Sequence, residues 1–206
     1  MLNEEFERQV RNLIDKGYPQ LVGLSAAAFS QELEPLKHQI SEINLNQIEA
    51  QAWRIPFVIV IKGDWLHAEH AMRLVEREGK NGFSSIDIEE INRFQPIEGM
   101  ELPEGRAYLL LDIDTGTGTL NVTPTAALAS ITQENRSPLT LEEGISVITH
   151  FPEVLRKNNG FSLLGSRCGD RRVTALWISD KKPKLGWCWA GNPHTWLGSA
   201  SCQARC

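Results

Sequence analysis

GFSLLGSRCGDRRVTALWISDKKPKLGWCWAG, residues 160–191, is the stretch whose reading decides the fold. Three apolar runs, GFSLLGSR, VTALWISD and KLGWCWAG, are parted by polar segments rich in Gly, Asp and Lys. β-branched and aromatic residues bounded by such turn chemistry read as strands, and successive short strands of this kind form an antiparallel sheet. In the last run Trp187 and Trp189 would share one face while Cys188 points to the other, since strand side chains alternate. That assigns both tryptophans mainly to packing.

Working towards the N-terminus, RAYLLLDIDTGTGTLNVTP (106–124) reads as a strand, a Gly-rich turn and a return strand. IPFVIVIKG (55–63) is a short β-branched run closed by Gly, the pattern of a buried strand. Helical signals lie between and before these strands. Leu2, Phe6, Val10, Leu13 and Ile14 recur at helical spacing until Gly17-Tyr18-Pro19 stops them. Ser25 is placed to cap a second helix in which Phe29 and Leu33 share a face, with Pro35 expected to interrupt or kink it. The segment HQISEINLNQIEAQAW (38–53) is polar and has no decisive pattern.

DWLHAEHAMRLVEREGK (64–80) reads as a helix, and SIDIEEINRF starts another behind a Ser cap. Thr123-Pro124 opens a third with Pro at the favoured first position, and Thr140 to Glu143 is a capping-box pattern ahead of GISVITHF. Strands and helices are interspersed without the regular alternation of a doubly wound sheet. The expected fold is α+β, one domain over residues 1–206: a helical portion over 1–50 and a body over 51–206. The body carries a mixed or antiparallel sheet from the central and C-terminal strands.

The composition, 41% hydrophobic and 23% charged, is that of a soluble globular chain. No window approaches the ~18 apolar residues of a membrane span. The acidic, amphipathic N-terminus is unlike a signal peptide, so a cytoplasmic location with reduced cysteines is expected. The net charge of −5 hides an asymmetry: residues 1–150 carry 12 Lys and Arg against 23 Asp and Glu, and residues 151–206 carry 9 against 3. A basic C-terminal quarter suits a small anionic or nucleotide-like ligand, while complementarity between the two parts would account for it equally. Nucleic acid is not the expected partner.

Several motifs bear on chemistry. Asp112 and Asp114 in LLLDIDTG sit at period two, as in phosphatase nucleophile strands, but Gly116 departs from that pattern and the later GDRRV lacks a second acid. A single Asp-Thr-Gly would need a dimer to make an aspartic-protease site, so DTGTGT reads best as a turn. His67 and His70 in HAEH share a helix face without the Glu-x-x spacing of a zinc helix, and read as surface histidines. The four cysteines Cys168, Cys188, Cys202 and Cys206 show no C-x₂-C knuckle, so no metal site is assigned.

GSRCGDRR and GNPHTW remain as the candidate site. Arg167, Arg171, Arg172, Asn192 and Trp196 would bind the ligand, since Arg forks and Gly-rich turns hold anions. As an alternative, His194 would act as general acid or base with Cys168 or Asp170 in hydrolase or transferase chemistry, the arginines favouring a thiolate at Cys168. No motif specifies a cofactor or an oligomeric state.

RSPLTLEEGISVITHFPEVL, FSLLGSRCGDRRVTALWISD and PKLGWCWAGNPHTWLGSAS together resemble an uncharacterised bacterial family known only as a domain of unknown function. IPFVIVI, YLLLDIDTG and LNVTP fit the same pattern, and the resemblance spans Tyr18 to Ser201. It implies a bacterial, soluble, stand-alone protein and no particular activity. The chain departs from the family pattern at Thr174, where proline is usual, and at Asn159-Gly160.

Overall fold

The computed structural model describes residues 2–42 and 54–206, so the polar stretch 43–53 lies outside the described residues. The first helix, α1 (Leu2–Asp15), buries Phe6, Val10 and Leu13 as their spacing predicts. Gly17, at φ +87°, turns the chain into the single-turn α2 (Tyr18–Leu21). Ser25 then caps α3 (Ala26–Glu42), its hydroxyl accepting from the Ala28 N–H at 3.2 Å. This helix runs through Pro35. The carbonyl that Pro35 leaves without a donor is that of Gln31, an exposed residue that water can reach.

Ile55–Ile61 forms β1 and Ala107–Ile113 forms β6, paired antiparallel from Ile55↔Ile113 to Ile61↔Ala107. Between them come α4 (Ala68–Leu74), the short strands β2 (Glu76–Arg77), β3 (Lys80–Asn81) and β4 (Phe83–Ser84), α5 (Ile88–Arg93) and β5 (Gln95–Pro96). The helix expected over 64–80 is therefore confined to its middle. Glu78 and Gly79 both take positive φ, 52° and 72°, the backbone of a two-residue hairpin turn, which pairs β2 with β3. Asp87, rather than a serine, caps α5, its Oδ1 accepting from the Glu90 N–H at 2.8 Å.

After β6 the expected return strand does not form. Asp114 Oδ1 accepts from the Gly116 N–H at 2.7 Å, and a 3-10 turn over Thr117–Thr119 leads on to α6 (Pro124–Gln133). Next come β7 (Ser137–Pro138), α7 (Leu141–His150), β8 (Gly160–Arg167), β9 (Arg172–Ser179) and β10 (Lys182–Trp189). The final strands are β11 (Leu197–Ser199), β12 (Ser201–Cys202) and β13 (Ala204–Arg205).

The opening stretch folds as its turns dictate. β8, β9 and β10 are antiparallel neighbours. Asp180 and Lys181, both at positive φ, make the two-residue turn between the last two. Parallel β11 and β4 extend this sheet at its two ends, so it is mixed. A second sheet has the order β1-β6-β13. α7 packs on β1 of one sheet and on β8 and β9 of the other, and every residue from Glu143 to His150 is buried. The fold is α+β, with a helical N-terminal portion and a sheet-bearing body. Among the described residues no helix is long and apolar enough to cross a membrane.

Candidate functional site

One cavity of about 360 Å³ opens where the end of β1, the starts of α4 and α7 and the end of α5 converge. Its polar lining is Lys62, Asp64, His67, Asn92, Gln95 and Glu142, and its apolar wall is Ile91, Phe94, Pro96 and Leu102. The local chain explains each placement. Lys62, Gly63 and Asp64 follow directly on the buried run of β1, so strand burial fixes where they emerge. His67 is the N-cap of α4. Its Nδ1 accepts from the Glu69 N–H at 3.2 Å, which leaves the proton of the neutral ring on Nε2, 2.9 Å from Asn92 Oδ1. The Lys62 ammonium donates to the Pro103 carbonyl at 3.1 Å and has no carboxylate partner among the described residues.

Glu142 and Glu143 occupy the first turn of α7. Glu143 completes the capping box, its Oε2 accepting from the Thr140 N–H at 2.7 Å. The same carboxylate takes the Arg205 guanidinium on both oxygens, at 2.5 and 2.9 Å, and the Tyr108 hydroxyl at 2.7 Å. Its charge is therefore matched. Glu142, one residue earlier, faces the cavity and has no ion pair among the described residues. Burial pushes its carboxyl above the usual range, and the charge of Glu143 adds to that, against opposing effects of its own backbone amide, Thr140 and His67. A Cβ on Gly63 would stand 2.9 Å from Glu142 Oε1, so the absent side chain leaves the carboxyl its place.

The residues singled out in the sequence fall in two groups, and none of them lines this cavity. On the β8–β9 turn, Cys168 Sγ donates to Asp170 Oδ1 at 3.1 Å, and Asp170 accepts from the Arg172 amide at 2.8 Å and its Nε at 2.9 Å. Arg172 also pairs with Glu90 and lies over the rings of Phe94 and Trp187. Arg167 donates to the Asp170 carbonyl at 3.3 Å. Hydrogen bonds from Arg172 hold Asp170 well below the usual carboxylate range. The Cys168 thiol moves opposite to expectation: partial burial and then the Asp170 contact push it up, because the nearest charge is the carboxylate and the arginine is already paired.

The second group is at the turn before β11. The His194 ring lies 5.1 Å from Trp196, which meets Trp177 edge-on at 5.8 Å. The Asn192 N–H donates to the Trp189 carbonyl, and Arg171 reaches back to within 3.0 Å of where a Gly191 Cβ would be. Among the described residues no hydrogen bond or ion pair joins His194 to Cys168 or Asp170. Trp187 and Trp189 do share a face, with rings 4.9 Å apart, while Cys188 is buried against Ser162. Trp189 is nevertheless 44% exposed, so packing accounts for only part of its surface.

Asp112 is structural. It is buried at φ +49°, with Oδ2 taking Arg136 at 2.8 Å and Arg54 at 2.9 Å. Among the described residues no group of three His, Cys, Asp or Glu side chains is placed to hold a metal ion. Sequence reasoning missed Lys62, Asn92 and Glu142 and set His67 aside as a surface residue. Two adjacent acids opening an otherwise apolar helix were the available signal, since only one of them is needed for the capping box.

The class is thus an α+β protein with a polar-floored cavity at the first turn of a buried helix. Residues 12–206 match the model of a family of unknown function (DUF5701), and the chain belongs to that family. No curated protein and no solved structure matches it.

Proposed function

We propose that the protein binds a small molecule in the cavity between β1, α4, α5 and α7, with Glu142 as the group that recognises it. The observation that carries this reading is a half-buried carboxyl facing an open cavity with no ion pair among the described residues. A carboxyl perturbed by desolvation in a cleft is a functional-site candidate on physical grounds. The His67 ring, oriented by Glu69 and Asn92, and the apolar wall from Phe94 and Leu102 supply direction and surface.

A thermal-shift panel of metabolites tests this. A ligand should raise the melting temperature of the wild type, and Glu142→Gln should reduce that shift while keeping the fold. A shift that survives both Glu142→Gln and obstruction by Gly63→Leu would place the ligand elsewhere.

A second reading keeps a small anionic ligand at the turns carrying Arg167, Arg171, Asn192 and His194. It is favoured by Arg171, which has no ion pair among the described residues. It is weakened by Arg172, whose charge is taken by Asp170 and Glu90. Loss of a phosphate- or nucleotide-induced shift in Arg171→Ala, with no loss in Glu142→Gln, would select this reading over the first.

A further inference from the structure

Resting on the cavity reading above, we propose that the ligand is a zwitterion of amino-acid class, its ammonium on Glu142 and its carboxylate on Lys62. Two groups of opposite charge line the same cavity without pairing with each other. Glu142 has no cationic partner, and Lys62 donates only to a carbonyl oxygen. Had they been placed to satisfy one another, a salt bridge would close the space. Held apart, each keeps a valence that a ligand with both charges satisfies at once.

An anion alone would answer Lys62 and face Glu142. A cation alone would face Lys62. The apolar wall of Ile91, Phe94 and Leu102 then takes the body of the molecule. At about 360 Å³ the space equals roughly a dozen water volumes, enough for one such molecule. Asp64, exposed at the mouth, adds a negative rim that favours entry of the ammonium end.

Titration calorimetry with a matched ligand series provides the test: leucine, its decarboxylated amine, leucinamide and N-acetylleucine, with the wild type, Glu142→Gln and Lys62→Met. Leucine is expected to bind, and loss of either charge on the ligand to weaken binding about tenfold or more. The same penalties should vanish selectively: Glu142→Gln should no longer distinguish leucine from N-acetylleucine, and Lys62→Met should no longer distinguish leucine from its amide. Because the ligand deletions are read on the wild type, the answer does not depend on either variant folding.

If N-acetylleucine or the amine equals leucine, the zwitterion proposal is wrong. If the whole series fails, a fragment screen read by amide shifts of Ile91 and Phe94 separates the two levels. Hits without paired charges overturn the zwitterion and leave the cavity reading standing, whereas no hits at these residues overturn both.

Discussion

Glu142 and Glu143 are neighbours in sequence with opposite surroundings, and the difference lies in Arg205. The bidentate guanidinium, the Tyr108 hydroxyl and the Thr140 amide saturate Glu143, which is fully buried. Removing one partner of a buried ion pair strands the other, at a cost of about 3–5 kcal/mol. Arg205→Met should destabilise by that amount in urea unfolding, and Glu143→Gln added to it should recover part of the loss, because no carboxylate is then stranded. His150 illustrates the converse, a buried group held neutral. Asn12 Nδ2 lies 3.2 Å from its Nδ1, which must therefore accept, and protonating it would set two donors against each other. Burial first, then the charge of Arg8, push it down to about 3 from an ordinary 6.5. Between those values the unfolded chain takes up a proton that the native one refuses. Stability is thus full above about pH 6.5 and falls on acidification by up to about 1.4 kcal/mol per pH unit towards pH 3. His150→Leu should flatten that slope in denaturation curves taken at pH 7, 5.5 and 4.5.

At the scale of elements, what the sequence revealed divides by the range of the interaction responsible. The capping box of α7, the Thr123-Pro124 start of α6 and the turn at Asp180-Lys181 are local, and all three were readable or bounded by readable turn chemistry. β4 and β11 were not, because two or three residues carry no periodicity and their pairing is decided by distant strands. The same applies to the missing return strand after β6. Gly116, at φ +80°, lies so close to β11 that a Cβ there would sit 2.2 Å from the Ser199 carbonyl oxygen. The chain docks against that strand as a turn, and no pattern in DTGTGT announces the partner. Gly116→Ala combines an unfavourable φ with a backbone clash and should cost about 3 kcal/mol. Thermal unfolding would show it, and Gly118→Ala, which meets nothing within 4 Å, is the matched control.

For the whole molecule, the class and the C-terminal meander were legible, and the cavity was not. Its lining comes from seven separate places between Lys62 and Glu142, brought together only when α7 packs against both sheets. Charge asymmetry along the chain pointed to the basic C-terminal turns, yet two of the nine cations there are consumed internally, Arg172 by Glu90 and Asp170 and Arg205 by Glu143. A count of formal charge cannot separate a cation that waits for a ligand from one that anchors the fold.

Gln9 of α1 is fully buried and spans the free side of β1, donating to the Phe57 carbonyl at 3.1 Å and accepting from the Ile59 amide at 2.8 Å. One side-chain amide thus stands where an additional strand would hydrogen-bond, and α1 acts as a stopper on a sheet margin that is otherwise ready to recruit another chain. Gln9→Leu should leave both backbone groups unmet, cost about 1–3 kcal/mol, and show itself in light scattering on warming as early self-association. The first helix thus covers the open edge of a sheet as well as adding to the core.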